Sequence, residues 1–153
     1  MLYLIPVRLL HGQRPAAALL RAHPRLDALY APLIDSCWRG NVRAFDALLA
    51  DTELERTLVR LGLYLAMERA RDLCITLLAR RVWLASGKGT RLRLAPFAAA
   101  LHWLGVAPDA ADAEWLLATQ IAKGRMKGYI AHERQMLVLS ATEPFPRASL
   151  GML

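Results

Sequence analysis

RLRLAPFAAALHWLGVAPDAADAEWLLATQIAKGRMKGYIAHERQMLVLS, residues 91–140, decides the fold. It opens with Arg91-Leu92-Arg93-Leu94, an alternation of charged and apolar side chains that predicts a short strand. Pro96 opens a helix predicted through residue 104, and Gly105 closes it. Pro108-Asp109 starts another helix, with Asp109 as N-cap and Asp112 placing negative charge in the positive first turn. Ala113, Leu116, Leu117 and Ile121 form its inner face, and Gly124 ends it. Residues 126–132 and 136–140 then read as two strands joined by Glu133-Arg134-Gln135. A helix predicted over 71–85 precedes this stretch, after which Gly87-Lys88-Gly89 forms a turn. The order is helix, strand, helix, helix, strand, turn, strand, which is that of a winged helix.

Toward the N-terminus, helical periodicity takes over. The apolar segment 2–10 can be helical only if Pro6 falls in a first turn or causes a kink; helices are predicted over 16–22 and, with Pro32 to be accommodated, 26–39, with Gly40 as a stop. Asn41 is placed to cap the next helix, whose inner face is Val42, Phe45, Leu48 and Leu49, so that the Gly-Asn turn makes an antiparallel hairpin. A longer helix is predicted over 53–68, where Leu54, Leu58, Leu61 and Leu65 make an i, i+4, i+7, i+11 stripe, with a break before residue 71. Stacked helix pairs of this kind predict a helical repeat, although no strict sequence period accompanies it. The fold class is thus all-α with a small β-wing: a helical-repeat part over 1–70, a winged helix over 71–142, and an irregular tail over 143–153 marked by Pro144 and Pro146.

Composition bounds what such a chain does. With 153 residues, 56% hydrophobic and 22% charged, it is long enough to bury a core and too apolar for a disordered chain. The longest apolar run, 61–67, is far short of the roughly 18 residues that would span a bilayer. The apolar start is interrupted by Pro6 and Arg8 and does not read as a signal peptide. Cys37 and Cys74 both fall inside apolar helical patterns, as buried, reduced thiols do. A net charge of +7 and a pI near 10.1 favour polyanions: nucleic acid, an acidic protein or an anionic membrane.

Catalytic patterns are absent from the sequence. Gly87-Lys88-Gly89-Thr90 lacks the upstream glycine of a phosphate loop and follows a helix. His11, His23, His102 and His132 pair with no Cys, Asp or Glu at a metal-ligand spacing. No serine stands in a nucleophile elbow, and Glu68-Arg69 and Arg71-Asp72 read as solvated helix faces. Neither an enzyme nor a metal, cofactor or small-molecule substrate is expected.

Cations are more informative. Lys123, Arg125, Lys127, His132 and Arg134 bracket the end of the last helix and the wing, while Lys88, Arg91 and Arg93 lie on the short strand and its loop. On a winged helix these elements form an edge that meets a phosphate backbone, releasing counterions. A solubilising surface and a dock for an acidic protein are the alternatives. Trp115 lies off the apolar stripe, beside Ala118 and Ala122; it either forms a partner interface or stacking platform, or tucks against the tail or wing. Trp38, Trp83 and Trp103 are assigned to helix-packing seams.

Ala113-Glu114, Leu116-Leu117, Ile121, Gly124 and Lys127-Gly128-Tyr129-Ile130 resemble the end of a PCI domain, the module shared by proteasome-lid, signalosome and translation-initiation-factor subunits. Tyr3-Leu4-Ile5-Pro6-Val7-Arg8, Gly12, Pro15, Gly40-Asn41, Ala131-His132, Leu137-Val138-Leu139-Ser140 and Pro144-Phe145-Pro146 extend the likeness along nearly the whole chain. Together they are similar to the signalosome subunit 12-like branch, which serves in transcription-coupled mRNA export. Gln120 and Trp115 depart from that pattern. Family members carry a long helical half ahead of the segment matching Leu2, where this chain starts, as a fragment, a shortened product or a minimal version would.

The resemblance implies a non-catalytic nuclear adaptor, associated with the nuclear pore and with some cytoplasmic pool. Its implied partners are a second PCI scaffold subunit related to germinal-centre-associated nuclear protein, and a small acidic, disordered subunit shared with the proteasome lid. It further implies RNA or DNA on the paired winged helices, with no membrane. Lys123, Arg125, Lys127, His132, Arg134, Arg91 and Arg93 are the nucleic-acid candidates, Trp115 and Tyr129 the partner-interface candidates. About four cations on a single strand would give a log–log salt slope of roughly −3. The alternative is a structural subunit of a signalosome-like or lid-like assembly without nucleic acid.

Overall fold

The computed structural model describes residues 1–146; residues 147–153, most of the expected tail, lie outside the described residues. Helix α1 spans Leu4–Leu10, α2 Ala17–Arg21, α3 Pro24–Trp38, α4 Val42–Leu49, α5 Thr52–Arg60 and α6 Tyr64–Ala85. Strand β1, Arg91–Arg93, is followed by α7, Ala95–Trp103, and α8, Ala110–Ala122, then by β2, Gly128–Ala131, and β3, Met136–Leu139. The architecture is all-α with a small β-wing. No helix among the described residues is long and apolar enough to cross a membrane.

The local signals act as read. The Asn41 side chain accepts from the Ala44 amide at 3.1 Å, capping α4, and Asp109 accepts from Asp112 at 2.8 Å, capping α8. Gly40 ends α3 at φ +66°, and the corner it makes rests on the backbone of α6 at Leu78.

One helix boundary is corrected. The break predicted before residue 71 lies instead at Gly62, where the Leu63 amide donates to the Leu58 carbonyl at 2.8 Å and the Gly62 amide to Val59 at 2.9 Å, closing α5. From Tyr64, α6 runs uninterrupted for 22 residues, through Ala70 and Arg71. The change of axis at Gly62 takes Leu65 out of the leucine stripe: α6 buries Met67, Ala70 and Cys74, and Leu65, two residues from Met67 and so on the opposite side, is 68% exposed.

Two cores share α6. The first gathers Tyr30, Leu33, Phe45, Leu58, Met67, Leu73 and Ile75; the second gathers Ala79, Phe97, Leu117, Met126, Leu137 and Phe145. Burial, aided by nearby Tyr3, pushes the Tyr30 phenol up to about 12, while its hydroxyl donates to the Leu2 carbonyl at 2.9 Å and ties α1 down. Cys37 and Cys74 are free and buried; the hydrogen bond between them, reinforced by burial, raises the Cys74 thiol above its usual range. Phe145 packs on Trp83 with ring centroids 5.5 Å apart, so the described start of the tail belongs to the second core.

Trp38 and Trp83 occupy packing seams, but Trp103 does not: α7 buries Phe97 and Leu101, and Trp103, two positions further, points out and is 73% exposed. Arg43 of α4 lies 5.7 Å from its ring centroid and donates to the Leu104 carbonyl at 3.1 Å and to the Trp103 carbonyl. This guanidinium satisfies carbonyls at the α7 C-terminus and joins the helical half to the winged half.

Candidate nucleic-acid interface

The sheet order is β1-β3-β2, with both pairings antiparallel. Arg91 stands opposite Val138 and Arg93 opposite Met136; Tyr129 stands opposite Val138 and Ala131 opposite Met136. Opposed residues project from the same side of a sheet. One face therefore carries Leu92, Leu137 and Ile130 into the second core. The other presents two rows outward: Arg91, Val138, Tyr129, and Arg93, Met136, Ala131. Tyr129 is 62% exposed on this face.

The wing turn extends it. His132–Arg134 form a 3-10 turn, and Gln135 enters β3 with a left-handed backbone at φ +50°. Arg134 lines, with Arg93, a groove of about 500 Å³ floored by Ala95, Ala98, Ala110 and Met136. The side chains of Arg91, Arg93 and Arg134 make no hydrogen bond or ion pair among the described residues.

Of the other candidate cations, acids hold three. Lys123, at the end of α8, is 2.6 Å from an Asp72 carboxylate oxygen on α6. Lys127, before β2, is 2.9 Å from Glu143. His132 Nδ1 is 2.8 Å from Glu114, which also accepts from Gln135 Nε2 at 3.4 Å. Arg125 follows Gly124 and is partly buried. The structure thus brings Arg93 and Arg134 to one groove with Arg91 two residues along the same strand, all three without the acidic partners that Lys123 and Lys127 have. Trp115 is 67% exposed, in a stripe with the exposed Ala111, Ala118 and Ala122, and does not tuck against the described part of the tail.

Arg71 and Asp72, read in the sequence as solvated, are both engaged. Arg71 donates to both Asp46 oxygens, at 2.6 and 2.8 Å, and this hydrogen bonding raises its pKa. Gln120 is fully buried: its Nε2 donates to Asp72 Oδ1 at 3.3 Å, and the Thr76 hydroxyl donates to its Oε1 at 3.0 Å. The polar residue at this position is therefore a stitch between α6 and α8. Gln120→Leu leaves Asp72 short of a donor, and a loss of about 1–2 kcal/mol is expected in urea denaturation; an unchanged midpoint would show the stitch to be neutral.

No family model matches the chain. It is 41% identical over 94% of its length to "Protein CSN12 homolog" of Mycosarcoma maydis, covering 34% of that protein. It is 35% identical over 98% of its length to "PCI domain-containing protein 2 homolog" of Drosophila melanogaster, covering 37% of that protein. The chain belongs to the PCI-domain family. A third relative, "COP9 signalosome complex subunit 12" of Eremothecium gossypii, is 38% identical over 77% of the chain and 30% of its own length. The chain spans about a third of the length of the PCI relatives it matches. Helical half, winged half and the continuous α6 between them are the frame on which this PCI chain carries its outward sheet face.

Proposed function

We propose that this PCI chain is a non-catalytic adaptor of a transcription-coupled nuclear mRNA export complex, joining a second PCI subunit and holding RNA or DNA on its winged helix. The observation that carries this reading is the cluster of Arg91, Arg93 and Arg134 on one face of the wing, unpaired among the described residues, in a chain of net charge +7. Cations not already held by acids are those whose phosphates release counterions. The exposed stripe of α8 around Trp115 suits the partner subunit, since a large rigid aromatic amid small residues is a typical anchor. The basic surface also suits the small acidic subunit that the family resemblance implies.

Three arginines on a single strand give an expected log–log salt slope of about −2. Arg93→Glu/Arg134→Glu is expected to abolish RNA binding in fluorescence anisotropy while partner subunits still copurify. A second reading, a structural signalosome-type subunit without nucleic acid, is favoured by the acids already holding Lys123, Lys127 and His132. RNA binding that is absent, or untouched by the double reversal, would select it.

A further inference from the structure

We propose that the outward sheet face is a track for single-stranded nucleic acid, with a base stacked on Tyr129 and phosphates held by Arg91, Arg93 and Arg134. This rests on the nucleic-acid reading above and names its ligand class and its contacts.

Three observations choose the single strand. The first is the register. Tyr129 and Arg91 flank Val138 in one row, so their backbones lie roughly 10 Å apart, two strand spacings. An exposed ring thus stands beside a cation on a flat surface, the arrangement by which sequence-tolerant proteins hold unpaired bases. A duplex keeps its bases stacked inside and offers that ring nothing to stack on.

The second is the outer stripe of α8. A winged helix that reads duplex DNA inserts this helix into the major groove. Here the exposed positions are Ala111, Asp112, Trp115, Ala118 and Ala122, with no cation and one acid, and Lys123 beyond them is held by Asp72. That surface offers a phosphate backbone no cation.

The third is the continuation of the track. Arg93 ends the second row and, with Arg134, borders the groove floored by Ala95, Ala98, Ala110 and Met136. Small apolar side chains leave space for a base turned out of a strand, and the two guanidiniums at its rim can each grip a phosphate bidentately.

The test uses the 153-residue chain, a labelled 12-nucleotide oligouridylate and an RNA hairpin duplex, both followed by fluorescence anisotropy over a salt series. The oligouridylate is expected to bind more tightly than the duplex. Tyr129→Ala is expected to weaken it by roughly 5- to 150-fold, the range for one lost stacked base, while Tyr129→Phe retains binding. Arg93→Ala and Arg134→Ala should each lower the salt slope by about 0.7. The three substituted side chains are exposed, and unchanged far-UV circular dichroism of each variant verifies that the fold is kept. Equal or tighter duplex binding, or a Tyr129→Ala variant that binds as the parent does, overturns the track and leaves the adaptor reading standing. Absence of binding to either RNA overturns both.

Discussion

Gly40→Val is expected to unfold the helical half or to reduce stability by about 3 kcal/mol or more. Two effects add. Gly40 sits at φ +66°, where a β-branched residue is strained. A Cβ built there would also lie 2.9 Å from Leu78 Cα and 3.0 Å from Leu78 N, so the obstacle is the backbone of α6, which no rotamer change can move aside. The α3–α4 corner would have to lift from α6, opening the core around Tyr30, Phe45 and Leu73. Gly62 provides the control: its φ is +70°, but nothing lies within 4 Å of an added Cβ. Gly62→Ala should thus show the conformational cost alone, about 1 kcal/mol, and the excess for Gly40→Ala isolates the clash. Equal midpoints in urea denaturation for the two alanine variants would mean that the corner can move freely on α6.

Gly128→Val is the second large effect. The backbone of Gly128 is not left-handed; the constraint is space. An added Cβ would run into the Val138 carbonyl oxygen and lie 3.0 Å from Leu139 Cα, both on the neighbouring strand. β2 cannot keep its place on β3 with a side chain at this position. Hydrogen exchange should show the amides of 128–131 losing protection while those of the first core keep theirs, and RNA binding should fall with the sheet. Retained protection across β2 would show that the strands can separate enough to admit a side chain.

Local chemistry wrote much of this fold plainly. Asn41 and Asp109 cap helices because a short polar side chain ahead of an apolar periodicity has an amide within reach. The alternation Arg91-Leu92-Arg93 marks a short strand, and the structure buries its middle residue. The corner at Gly62 is hidden in the sequence because Leu65 continues the spacing of Leu54, Leu58 and Leu61 across it, so that a linear stripe crosses a corner in space. Trp103 is hard to place for a related reason: a large ring in an apolar helix reads as core until the inward side is fixed by Phe97 and Leu101.

The site was legible in its sign and not in its grouping. Asp72 meets Lys123 across 51 residues of sequence, and Glu143 meets Lys127 across 16, so no local pattern shows that these cations are already held. Strand register alone tells that Tyr129 and Arg91 flank one residue on one side of the sheet. Nothing in residues 91–140 taken singly separates that pairing from a shift by one residue, which would bury the tyrosine.

Helix α6 has 22 residues, about 33 Å of unbroken rod, and both cores are built on it. Arg43 grips the end of α7 from the other side, so the wing meets the helical half at a second place. On the proposed reading the molecule serves as a ruler: whatever grips the helical half sets the distance and bearing at which the wing presents its arginines.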